Sequence, residues 1–166
     1  MTTLSPAHDE RSPISKGTAL RYAWWIWFTL LFVPAFVFIG VVYSLNFGDQ
    51  PARPQASTTW FLILMAYLLL GIPAAFFVRT RLFSSYYEGR PVPPLKYLIG
   101  AAIPWIVLEI GGLLSLFAVW YARSFTPNII PAIVAFAFFI TMFPKGNAML
   151  RPTGDSEDPE IYEEPW

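Results

Sequence analysis

Cysteine is missing from the 166 residues, and histidine occurs once, at His8. The first absence excludes disulfides, thiolate metal sites, iron–sulfur clusters and a cysteine nucleophile from this chain. The second leaves every apolar run without the usual axial ligand of a membrane-embedded haem or chlorophyll. Charge is scarce as well: 13% of residues are charged and 55% hydrophobic, with a mean hydropathy of +0.49. That balance is wrong for a soluble domain of this size, and nothing in it forms a nucleic-acid footprint. Also absent are a Ser/His/Asp set, a His-Glu-x-x-His zinc motif, a P-loop and a Gly-x-Gly-x-x-Gly fingerprint. The expectation is therefore a chain that is no enzyme, has no catalytic residue or metal site, binds no cofactor alone and takes no small-molecule substrate. Structural lipids are allowed for.

What the chain has in quantity is long apolar runs. A helix needs about 20 mostly apolar residues, rising about 1.5 Å each, to cross a hydrocarbon core of about 30 Å. Residues 22–45, 59–78 and 95–120 meet that length, and 128–143 nearly does. The fourth run, at sixteen residues, covers only about 24 Å and needs its flanks, a thinned bilayer or shelter among other helices. Each run contains or begins near a proline, at Pro34, Pro73, Pro104 and Pro131, and an interior proline removes a backbone hydrogen bond and kinks a helix. The predicted fold is all-α: an integral membrane four-helix bundle of proline-bent helices over residues 22–143, between an N-terminal tail, 1–21, and an acidic C-terminal tail, 144–166.

Orientation follows from positive charge near span ends, which is retained on the cytoplasmic side. Arg11, Lys16, Arg21, Arg79, Arg81, Arg90, Lys96, Lys145 and Arg151 fall on one side of a four-span arrangement, and only Arg53 and Arg123 on the other. Both tails and the central loop are thus expected in the cytoplasm, with the bacterial inner membrane as the expected location. Tyr22, Trp24, Trp25, Trp60, Tyr97, Trp120 and Tyr121 sit near span ends, where indole and phenol rings favour the headgroup level.

Glu109 is the single acidic or basic residue deep inside any run. A charge at a helix centre costs about 2.5 to 3.5 kcal/mol, so such a group is usually paired, hydrated or protonated. Since no cation lies within the spans, its expected partner is Tyr67, Thr29, Ser115, Thr141 or a group on another protein. Small residues four apart, at Gly40 and Ser44, Gly71 and Ala75, and Gly111 and Ser115, with Gly112 beside Glu109, mark faces where helices approach closely. Arg79, Arg81, Arg90 and Lys96, interleaved with aromatic residues, suit anionic lipid headgroups. Helix two is expected to run on to about Tyr87. Six of the eleven acids lie between Asp155 and Glu164; in that tail Ile161, Tyr162 and Trp166 offer anchors to a partner.

The combined expectation is a non-catalytic accessory or structural subunit of a larger membrane complex, an energy-transducing one being a candidate host, with other membrane subunits and anionic lipids as partners. The alternative is a small transporter or channel component using Glu109 as a proton or cation site.

Overall fold

A computed structural model describes residues 14–48 and 51–150. His8 and the tail residues Ile161, Tyr162 and Trp166 lie outside the described residues. Every regular element among those described is helical: α1 (Lys16–Phe47), α2 (Pro54–Leu82), α3 (Ser84–Tyr87), α4 (Pro94–Ala122), α5 (Ile129–Thr141) and a final 3₁₀ turn, Asn147–Met149. Three of them, α1, α2 and α4, are long and apolar enough to cross a membrane, which fits a multi-pass membrane protein.

The long helices begin earlier than their apolar runs because polar and proline caps start them. Ser15 accepts a hydrogen bond from the Thr18 amide, so α1 opens at Lys16, six residues before Tyr22, with one orphan N–H satisfied. Pro54 and Pro94 each open a helix, at the position where the missing N–H is not needed. Pro131 falls within the first turn of α5 and is tolerated there for the same reason. Helix two does not run on to Tyr87. It stops at Leu82, and Phe83, with φ −95° and ψ 14°, turns the chain into the separate helix α3.

Packing is centred on α4, which lies along α1, α2 and α5, whereas α1 and α2 pack along α4 rather than along each other. Its sequence explains this. Gly100, Ala101, Gly111, Ser115, Ala118 and Ala122 are all buried, and such small side chains bring backbones close where lipid supplies no hydrophobic drive between helices. A Cβ on Gly100 would stand 2.5 Å from Cε1 of the Phe83 ring, and one on Gly111 2.7 Å from Leu68 Cδ2.

Gly100 offers a direct check, because Phe83 is buried and its ring is stacked on Tyr97 at 5.9 Å, leaving little room to retreat. Gly100→Ala is expected to destabilise by about 1–3 kcal/mol, the usual range for overpacking. Gly112→Ala meets nothing within 4 Å and should be neutral or slightly stabilising, as alanine is the better helix former. Thermal unfolding of both variants in one detergent gives the comparison; equal midpoints would refute the close approach at Gly100.

The two ends of the molecule differ chemically. At one of them, the basic end, lie the start of α1, the end of α2, the start of α4 and the end of α5. Here three indoles reach the carbonyls at the end of α5: Trp27 Nε1 donates to Phe139 O at 3.4 Å, Trp105 Nε1 to Met142 O at 3.1 Å and Trp24 Nε1 to Pro144 O at 2.9 Å. Phe139 O also accepts the Met142 amide at 3.1 Å, and Met142 and Pro144 lie just beyond α5, so these donors tie α1 and α4 to the exit of α5. At the opposite end Arg123 Nη1 donates to Ser44 O at 2.8 Å, Trp120 Nε1 to Ser44 Oγ at 3.1 Å and Asn128 Nδ2 to Ser57 Oγ at 2.8 Å. Arg123 holds φ 54° in the left-handed region, a conformation that costs a non-glycine residue about 1 kcal/mol or more. Its guanidinium lies where a Cβ on Gly48 would be, 2.8 Å from Nη1, so glycine is what admits the arginine to the Ser44 carbonyl.

Candidate functional site

Glu109 sits on α4, about 20 Å from either helix end at 1.5 Å per residue, and is only 9% exposed. Its carboxyl borders a cavity of about 30 Å³ shared by three helices, lined by Leu30, Leu31 and Pro34 of α1 and by Ala135, Phe136 and Phe139 of α5. That is room for one or two waters. Oε1 is buried without a hydrogen-bond partner among the described residues.

The hydroxyl partners expected for Glu109 are engaged elsewhere. Tyr67 donates to Val107 O at 3.0 Å, Ser115 to Gly111 O at 2.8 Å and Thr141 to Phe138 O at 2.7 Å. Two of these bonds return to the residue's own helix, the local competition that short hydroxyl side chains commonly win. The third ties α2 to α4 on a different side of α4 from the cavity. Thr29 is exposed. Pro34 has no N–H, so the Leu30 carbonyl, four residues earlier, lacks the donor that a regular helix provides. Both residues line the cavity with Glu109, and its other walls are apolar.

The small-residue faces divide into two groups. Gly71, whose Cβ would lie 3.2 Å from Val107 Cγ1, and buried Ala75, Gly111 and Ser115 belong to the helix contacts of α2 and α4. Ser44 acts as an acceptor for Trp120 and Arg123. Gly40 and Gly112 meet nothing within 4 Å, so they form no close helix contact within this chain. Spacing by four puts residues on one face but does not select which face meets a neighbour, and Gly40 lies on an exposed stretch of α1.

Among the basic residues considered for headgroups, Arg81 and Lys96 are exposed. Arg81 lies over the Phe77 ring at 5.2 Å and Arg79, half-buried, over the Phe83 ring at 5.2 Å. Arg90 is paired with Glu88 on the surface. Two features escape sequence reasoning. Trp105 is 1% exposed and carries no mark in the sequence that separates it from a belt tryptophan. Asn128 is wholly buried at the start of α5 and bonded to Ser57 of α2; its signal is a lone carboxamide next to an apolar run.

Compared with protein-family models, curated proteins and solved structures, the chain matches none.

Proposed function

We propose that the chain is a non-catalytic accessory subunit of a larger membrane assembly, for which an energy-transducing complex is one candidate host. In this reading α5 and its flanks form a fourth span, the four helices make a proline-bent bundle, and the basic end with both tails faces the cytoplasm of a bacterial inner membrane. Anionic lipids meet the basic end, and the chain by itself binds no cofactor and performs no reaction.

The observation that carries the proposal is the state of α1. Of its 32 residues only Ala19, Ala23, Trp27 and Val41 are buried. Between Leu30 and Gly40 none is, and Phe32, Phe36 and Ile39 are well exposed. α1 packs along α4 by one face, and its other face, rich in large rings, is a surface that lipid or neighbouring polypeptides can cover; the subunit reading has neighbours cover it. A photo-crosslinking residue in place of Phe36, which is 71% exposed, is expected to yield adducts with other membrane polypeptides in native membranes. Lipid adducts alone, with the chain migrating as a free species on a native gel, would overturn the proposal.

The second reading, transport, is favoured by one thing, the buried carboxyl of Glu109 with its unpartnered Oε1. Against it stand the apolar walls of the cavity and the absence of any second polar side chain among its lining residues. The subunit reading expects Glu109→Gln to leave assembly and any associated activity within about two-fold; loss of ion or proton flux in vesicles with assembly intact would decide for transport.

A further inference from the structure

A second, larger cavity opens at the basic end, about 500 Å³ in volume and bounded by the end of α2, by α3, by the first half of α4 and by residues 141–148. We propose that it is a binding site for the phosphate-bearing headgroup of an anionic lipid, with Arg79 and Lys145 as the recognising cations. The volume lies within the range of small-molecule sites, about 300–1,000 Å³.

The walls change character along the helix axes. Trp105 and Ala101 line the cavity from α4 and Phe76 from α2. Trp105 is eight residues beyond Tyr97, about 12 Å deeper along the helix. Nearer the end of the molecule are Arg79, Tyr86, Tyr87 and Lys145. Apolar depth below a cationic, phenolic rim is the gradient of an amphiphile lying in a bilayer, with acyl chain inward and headgroup at the interface. Among the described residues the charge is of one sign, since no carboxylate lines the cavity.

The site is held in shape. The Tyr97 hydroxyl accepts the Gly146 amide at 3.0 Å and Ala148 O accepts the Val92 amide at 2.8 Å. Together these bonds hold the segment carrying Lys145 at the cavity that Arg79, its guanidinium over the Phe83 ring, also lines. The sequence grouping of Arg79 with Arg81, Arg90 and Lys96 is thereby split: only Arg79 of the four lines the cavity, and Lys145, just beyond α5, joins it. The inference rests on the proposed placement of the basic end at headgroup level and not on the subunit role.

The experiment is native mass spectrometry of the full-length chain, delipidated and titrated with phosphatidylglycerol or phosphatidylcholine of the same acyl chains. Each cation at a membrane surface is worth about a five-fold gain for an anionic lipid, so two predict a preference of about 25-fold for phosphatidylglycerol. Arg79→Gln with Lys145→Gln should erase that preference, while Arg81→Gln with Arg90→Gln and Lys96→Gln should leave it. Lys145→Gln alone, on an exposed side chain, should remove about five-fold and keeps the test open if Arg79→Gln does not fold. Equal binding of the two lipids, or loss only in the triple variant, overturns the proposal. Displacement by submillimolar inorganic phosphate would make free phosphate the ligand instead. A ten-fold rise in lipid binding when the six tail acids, Asp155 to Glu164, are changed to amides would make the chain's own tail the occupant. None of these outcomes alters the adducts formed at Phe36, so failure here is distinguishable from failure of the subunit reading.

Discussion

Glu109→Lys is expected to lower the yield of folded protein in membranes by more than ten-fold, whereas Glu109→Gln leaves it within about two-fold. The carboxamide has the shape of the carboxyl and adds no charge to the cavity. Lysine brings an ammonium group to walls made of Leu30, Leu31, Pro34, Ala135, Phe136 and Phe139, with no acid to meet it. Insertion of such a charge at a helix centre costs about 2.5 to 3.5 kcal/mol, and 1.4 kcal/mol is a factor of ten. Snorkelling gives no escape, since the nearer end of α4 is about 20 Å away along the axis, several times the reach of a lysine stem. Quantitative blotting of membrane fractions, with fluorescence-detected size exclusion to score the folded fraction, provides the measurement. A lysine variant as abundant and monodisperse as the parent would show that the acid faces a hydrated or anionic environment, contrary to its position among α1, α4 and α5.

Trp105→Ala should be the most damaging truncation, at about 3 kcal/mol or more. The indole is 1% exposed and donates to Met142 O at 3.1 Å, so alanine removes a large ring and leaves a carbonyl without its donor. Large-to-small changes of Trp cost about 3–5 kcal/mol in water-soluble cores. In lipid the transfer part shrinks, because hydrocarbon is as apolar as the core, but the atoms lining the void still forfeit their dispersion attraction to the ring. Trp105→Phe, which keeps most of the ring and deletes the N–H, should cost only about 1 kcal/mol, the scale of an interhelical hydrogen bond in a membrane. Because the chain has no cysteine, a single Ala135→Cys on the buried face of α5 reports without background. Its maleimide labelling should rise sharply with Trp105→Ala and little with Trp105→Phe. Unchanged labelling in both would mean that α5 is held by other contacts.

How far the sequence carries the fold can be seen residue by residue. Hydropathy and length locate three long helices, because a run of apolar residues is a property of the local chain. They place the starts of α1 and α2 five or six residues late, since Ser15 and Pro54 begin those helices in polar sequence that hydropathy does not score. The break at Phe83 is invisible to them because it is set by tertiary packing: the ring turns in against Gly100 and Tyr97. Of the glycines, Gly111 meets α2, but the spacing rule passes over Gly100 and favours Gly40, which has no neighbour within 4 Å, as it fixes a face and not its partner. Glu109 stands out by charge alone, and its burial among three helices gives that isolation a location. The other walls of its cavity, Leu30, Leu31 and Pro34 among them, belong to other helices and emerge only once α1 is laid beside α4.

The three indoles at the end of α5 have a bearing on how the chain is made. Trp24, Trp27 and Trp105 are all synthesised before α5, and the carbonyls they receive, on Phe139, Met142 and Pro144, come last. An apolar helix of 13 residues rises only about 20 Å, and its exit is tied to α1 and α4 by these three bonds. The indoles that hold the exit of α5 thus all belong to helices translated before it.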